Sequence, residues 1–202
     1  MPPIRTVNAL PSWRGRRWPG LVIACLLAWA LAGSGTTVRP VTVEQLTAGS
    51  THVVVATAEG SYSAWDVGHN AIYTYTTFLI NKALKGQFAH STFVVKQFGG
   101  EVGNTVSRRI GVRQFTAGEQ SVLFLFPSPN GDGTMLVTGL MQGRFAVRRS
   151  GGSATVSNGL PLPGRAAAIY EVGAPVLEPY RMPLDTLEQR VRNAAGRKAE
   201  QQ

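Results

Sequence analysis

Residues 71–98 decide the fold. Ala71–Ala83 reads AIYTYTTFLINKA, dense in the β-branched and aromatic side chains that suit a pleated, half-buried surface. Lys85-Gly86 supplies a turn, and Phe93–Phe98 (FVVKQF) resumes the pattern. Upstream, His52–Ala58 (HVVVATA) is a β-branched run. Downstream, Val122–Phe126 (VLFLF) is apolar at consecutive positions, so both faces of that strand must be covered, at a sheet centre or in a barrel wall. Pro127–Gly133 (PSPNGDG) ends it with two turn formers, Asn130-Gly131 and Asp132-Gly133. Met135–Leu140 and Arg144–Val147 read as two more strands, with Gly143 free to bend between them, and a weaker strand falls at Ala154–Ser157. Extended segments with no amphipathic helices between them predict a mainly β domain over 51–158, an antiparallel sandwich or closed barrel rather than an α/β sheet.

The flanks differ in character. Thr42 with Gln45 three positions on is the pattern of a capping box and predicts a short helix over 43–48 at the end of a leader, 33–50. At the other end Leu184, Leu187, Val191 and Ala194 form one stripe, Glu188 and Arg192 stand four apart in the favourable order, and Pro183 suits a first helical position. A helix over 183–195 follows, docked on the barrel or mobile beside it, with a tail to 202. Pro161, Pro163, Pro175 and Pro179 make 159–182 an irregular linker. Residues 1–20 hold four arginines and no acid, and LVIACLLAWAL (Leu21–Leu31) runs into Ala30-Leu31-Ala32. A basic segment, a short apolar segment and an A-x-A site make residues 1–32 a secretory signal peptide cleaved between Ala32 and Gly33. The apolar run is well short of the roughly 20 residues that span a bilayer, so the membrane is met only through an uncleaved signal segment. The expected destination is secreted or periplasmic.

Removing that segment lowers the formal charge from +9 to +5, because four basic residues leave with it. The remaining basicity is mild, which argues against nucleic acid as a partner. Cys25, the single cysteine, leaves too, excluding an intrachain disulfide and a cysteine-based zinc site. About 170 residues bury roughly 70 per cent of the unfolded surface and need no covalent staple.

Little of the remaining chain is suited to catalysis. His52, His69 and His90 show no metal-ligand spacing, so neither a metal nor any other cofactor is expected. No G-x-S-x-G is present, and Ser61, Ser63 and Asp66 near His69 read as a hairpin turn bonding its own backbone. Gly99, Gly100 and Gly103 lack the lysine and helix of a phosphate loop and predict a positive-φ turn. The basic residues are more suggestive. Arg108, Arg109 and Arg113 crowd one loop, and Arg144, Arg148 and Arg149 one strand. Alternation puts Arg144, Ala146 and Arg148 on the face opposite Phe145 and Val147. Two readings stand: a solvated outer face, or a binding patch for anionic lipid, glycan or an acidic protein surface.

Over residues 50–150 the chain resembles an uncharacterised group of bacterial exported proteins. The match is carried by Ile72, Tyr73, Tyr75 and Leu84-Lys85-Gly86, by Gly99, Gly100 and Gly103, by Phe115, Gly118 and Glu119, and by Gln142, Gly143 and Phe145. More distantly the order is similar to the netrin-like domain of tissue inhibitors of metalloproteinases. That resemblance implies an antiparallel OB-like/netrin-like β-barrel with a C-terminal helix. In that family a mature N-terminal cysteine grips the protease zinc; here Gly33 takes that place, so no functional residue carries over. The expectation is an exported, non-catalytic module that binds a protein or an anionic envelope component. A protease inhibitor without the cysteine and an enzyme with a dispersed site are the rivals.

Overall fold

Consecutive apolar residues demand cover on two sides, and the computed structural model, which describes residues 41–109, 112–159 and 181–199, supplies it. The expected signal segment 1–32, its expected cleavage junction Ala32–Gly33 and residues 160–180 of the expected linker lie outside the described residues. The elements are α1 (Val43–Gly49), β1 (His52–Trp65), β2 (Ile72–Lys85), β3 (Thr92–Phe98), β4 (Gly100–Val102), β5 (Thr105–Ser107), β6 (Gln120–Pro127), β7 (Met135–Val137), a 3₁₀ turn (Leu140–Gly143), β8 (Arg144–Ser150), β9 (Ser153–Ser157), β10 (Met182–Pro183) and α2 (Leu184–Ala199). The protein is mainly β with a C-terminal helix. Eight strands pair in the order β1-β2-β3-β7-β6-β8-β9-β10, and β6 pairs back onto β1. Every pairing is antiparallel except β3 with β7. β4 and β5 form a separate hairpin.

Alternation along β1 and β6 divides the apolar residues between two cores. Val53, Val55, Val122 and Phe124 face α1 and α2, where they meet Phe145, Leu187 and Val191. Val54, Ala56, Leu123 and Leu125 face the other way, toward Phe78 and Phe93. Phe78 stacks on Phe93 at 5.5 Å between ring centres and meets the edge of Phe115 at 4.7 Å. Val122–Leu125 of the VLFLF run is thus buried on both faces, and Phe126 is half-buried.

β1 does not stop at Ala58 as the sequence suggests; it continues to Trp65. Register shifts at Val53/Val54, Val55/Ala56 and Ala58/Gly60 let it bend and stay paired. Its first half lies between β2 and β6, and its second half pairs with β2. β7 is shorter than expected, ending at Val137, and β8 longer, reaching Ser150. The β4–β5 hairpin occupies part of what reads as a plain loop.

Both helices are held by local chemistry. Thr42 Oγ1 accepts from Gln45 N at 3.2 Å while Gln45 Oε1 accepts from Thr42 N at 3.0 Å, completing the capping box. The last turn of α1 contains no basic residue of its own; Lys85 Nζ reaches across and donates to Thr47 O at 2.6 Å and Ser50 O at 2.7 Å. α2 is docked, with Leu187 and Val191 buried. It begins at Leu184, because Pro183 is used instead in β10 opposite Thr155, and it runs on to Ala199. Arg190 grips Glu44 with two bonds of 2.8 Å, and Glu188 accepts from Lys82 and from Arg192. No helix among the described residues is long and apolar enough to cross a membrane.

Candidate functional site: a basic cleft beside strand β3

β3 and β7 meet at a single residue pair, Val95 and Met135. Residues 96–98 of β3 therefore have no strand on that side, while β8 is paired to β6 through Arg144–Ala146. Side chains bridge the gap to residues 113–114. Gln97 Nε2 donates to Arg113 O at 3.3 Å, and Gln114 Nε2 donates to Phe98 O at 3.1 Å. Arg144 Nη1 donates to Arg113 O at 2.5 Å and Gln114 O at 3.2 Å.

Beside this bridge is a cleft of about 290 Å³. Phe126, Leu136, Val137, Leu140 and Met141 provide much of its apolar lining, and Lys96, Arg113, Arg144, Arg148 and Arg181 its cations. The cations are not equivalent. Arg144 is only 7 per cent exposed. It holds Glu119 through bonds of 2.6 and 2.7 Å, and its guanidinium lies 3.9 Å from the centre of the Phe115 ring. Burial draws its pKa below the ordinary arginine value, opposed by the Glu119 carboxylate; it stays charged, since arginine does not deprotonate in proteins. Arg144 is therefore neither a solvated residue nor part of an open patch. It is a buried strut tying β8 to the segment before β6.

Lys96 pairs with Asp132 at 3.0 Å and lies 4.6 Å over the Tyr73 ring. Burial lowers its pKa, but the bond to Asp132 and the neighbouring Tyr75 and Tyr73 outweigh that and raise it. Asp132 is held far below the usual carboxylate range, first by the Thr134 hydroxyl and then, against burial, by Lys96. Arg113, Arg148 and Arg181 remain. Among the described residues no carboxylate pairs with any of the three, and all are exposed.

Of the arginines singled out in the sequence, Arg113, Arg144 and Arg148 come together at the cleft. Arg108 and Arg109 do not line it; both are exposed, and Arg109 lies 5.7 Å over the Phe98 ring. Arg149 donates to Gln120 Oε1 at 2.9 Å, away from the cleft. As alternation predicts, Arg144, Ala146 and Arg148 line the cleft, and Phe145 and Val147 pack in the helix-side core. Sequence reasoning misses Arg181. It follows the Pro-rich stretch, and only the pairing of Met182 with Val156 fixes it beside the cleft. Nothing local in the sequence signals that pairing.

Two features mark this region as imperfectly satisfied. Gln97 Oε1 and Gln114 Oε1 are buried atoms with no donor among the described residues. Leu140 has φ 58° directly after Gly139 at φ 66°. A left-handed conformation costs a leucine about 1–2 kcal/mol, yet this side chain is 58 per cent exposed on the cleft. Strain of this kind gathers where function holds it.

The other candidates are accounted for structurally. His52 Nε2 is within 3.0 Å of Gln87 O, and His69 stacks on Trp65. No group of three His, Cys, Asp or Glu residues among the described residues could hold a metal. Asp66 Oδ1 accepts from Asn70 N at 2.6 Å and Ala71 N at 3.3 Å, so the carboxylate near His69 serves the β1–β2 turn. Gly99, Gly100 and Gly103 all have positive φ, and a Cβ on Gly99 would meet Ser107 O at 2.7 Å. No family model matches this chain, and neither does any curated protein.

Proposed function

We propose that the chain is an exported, non-catalytic binding module on an OB-like barrel, and that the basic cleft takes an anionic ligand belonging to a protein or to the cell envelope. The barrel reading is supported by the circuit of pairings β1–β2–β3–β7–β6 and back to β1, five strands as in an OB-fold. The distant similarity to the netrin-like domain of tissue inhibitors of metalloproteinases is compatible with the same circuit. The export reading rests on the basic and apolar run ending at Ala32. The binding reading rests above all on Arg113, Arg148 and Arg181, which share one cleft and lack a carboxylate partner among the described residues. Like charges held together on a partly apolar surface repel one another, and a bound anion relieves that repulsion. Guanidinium groups suit carboxylate and phosphate because their paired N–H donors match two acceptor oxygens.

The test compares the wild-type chain with an R113S/R148S/R181S variant for binding to phosphatidylglycerol vesicles and to heparin at low salt. The variant is expected to bind at least tenfold more weakly, and added salt to remove the difference. Equal binding by the two chains at low salt overturns the reading. Export is tested separately, by sequencing the N-terminus of the chain recovered outside the cytoplasm: Gly33 is expected, and retention of the whole chain in the cytoplasm refutes it.

A further inference from the structure

We infer that the cleft ligand is a single-chain amphiphile, a hydrocarbon tail ending in a phosphate or carboxylate, taken up as a monomer. This rests on the binding-module reading and adds the ligand's chemical class. The cations provide for the head: Arg113, Arg148 and Arg181 are exposed and lack carboxylate partners among the described residues. The apolar lining, with Phe126, Leu136 and Met141, provides for the tail.

The bridge beside the cleft argues for hydrocarbon over a peptide. A peptide brings an N–H and a C=O with every residue, and each must be paired when buried. The nearby backbone carbonyls already have donors, and the acceptors left open in the bridge are two side-chain oxygens, Gln97 Oε1 and Gln114 Oε1. Phe98 O accepts from Gln114, Arg113 O from Gln97 and Arg144, and Gln114 O from Arg144. An alkyl chain makes no such demand. Leu140 points the same way, because its left-handed backbone keeps a large apolar side chain exposed on the cleft instead of folding it into either core. A tail would bury it.

Isothermal titration of the full chain with decyl phosphate below its micellar concentration tests this, with decanoate, inorganic phosphate, a neutral decyl glycol and an acidic peptide as comparison ligands. Decyl phosphate or decanoate is expected to bind one to one, at least tenfold tighter than inorganic phosphate or the neutral glycol; whichever of the two binds more tightly identifies the head. R113S/R148S/R181S should weaken that binding at least tenfold. Leu140→Gly should weaken it three- to tenfold while the melting temperature holds or rises, since glycine is at ease at this backbone angle. Inorganic phosphate binding as tightly as decyl phosphate overturns the tail but leaves the binding module standing. A peptide that displaces decyl phosphate also overturns the inference, as does binding to vesicles with no uptake of monomer. Failure of all these anions to bind removes the amphiphile, and only their failure together with equal binding of wild type and triple variant to vesicles and heparin removes both readings.

Discussion

The helix-side core and the cleft share strands β6, β8 and β9 yet differ in how far their charges are paired. On the helix side Glu44 meets Arg190, Glu188 meets Lys82 and Arg192, and Lys85 caps α1. On the cleft side three arginines have no carboxylate partner among the described residues, two glutamine carbonyls lack donors, and a leucine sits in a left-handed conformation. Stability is concentrated in one region and unsatisfied chemistry in the other. A ligand-binding surface must keep groups poorly satisfied until the ligand arrives, whereas a core gains by satisfying everything. The boundary between the two regions is Arg144, which borders the cleft yet is buried and bonded through both terminal nitrogens.

The sharpest break of this contrast is in the core. Phe124→Ala should cost about 3–5 kcal/mol, the range for emptying a buried aromatic position, while Arg148→Ser should stay within about 0.5 kcal/mol of wild type, as surface changes do. Urea denaturation measures both. Similar losses for the two would erase the distinction between the regions. Next in size is the boundary itself. Arg144→Met should cost about 3 kcal/mol, because both Glu119 oxygens lose the Arg144 Nη2 donor in a partly buried place. Adding Glu119→Leu should recover a large part of that loss. If the double variant is as unstable as the sum of the singles, the pair is not acting as a unit.

The same contrast explains what can be read from the amino-acid order. The VLFLF run, the Thr42–Gln45 box and the stripe from Leu184 to Val191 declare themselves because each depends on neighbours a few positions away. Alternation likewise sets Arg144 opposite Phe145. It cannot show that residues 113–114 and Glu119 close over Arg144, because that meeting joins segments some 25 to 31 residues apart. Arg181 is hidden for the same reason, and so is the second half of β1, whose pairing with β2 carries it past Glu59-Gly60. The cleft is therefore only half legible: its cations on β8 follow from local pattern, and its apolar lining and its bridge come from chain crossings. Leu140 gives no local warning at all, since leucine is an ordinary strand or helix residue and only the path after Gly139 strains it.

A smaller effect concerns the α1 cap. Thr42→Ala removes the side-chain acceptor for Gln45 N and should cost about 1 kcal/mol, read as a lower urea midpoint with an unchanged slope. Thr42→Ser should be nearly neutral. An equal loss in both variants would mean that packing, and not the hydroxyl, holds the start of α1.

The smallest expected effect is on pH dependence on the helix side, separate from the acid limb that Asp132 contributes beside the cleft. The bond from Arg190 holds Glu44 below its ordinary 4.5, at about 2, with burial opposing. A carboxyl depressed in the folded state binds more protons when unfolded over this interval, so stability rises with pH there. The contribution is complete above about pH 4.5 and is lost as pH falls toward 2. Both side chains are 37 per cent exposed, and solvent and salt screen the pair, which keeps its share modest. Arg190→Met should remove the Glu44 share of the acid limb between these values and leave the binding proposed for the cleft unchanged. Loss of binding in that variant would mean that the two regions are energetically joined through β8 and β9, and the division between them would have to give way to one cooperative unit.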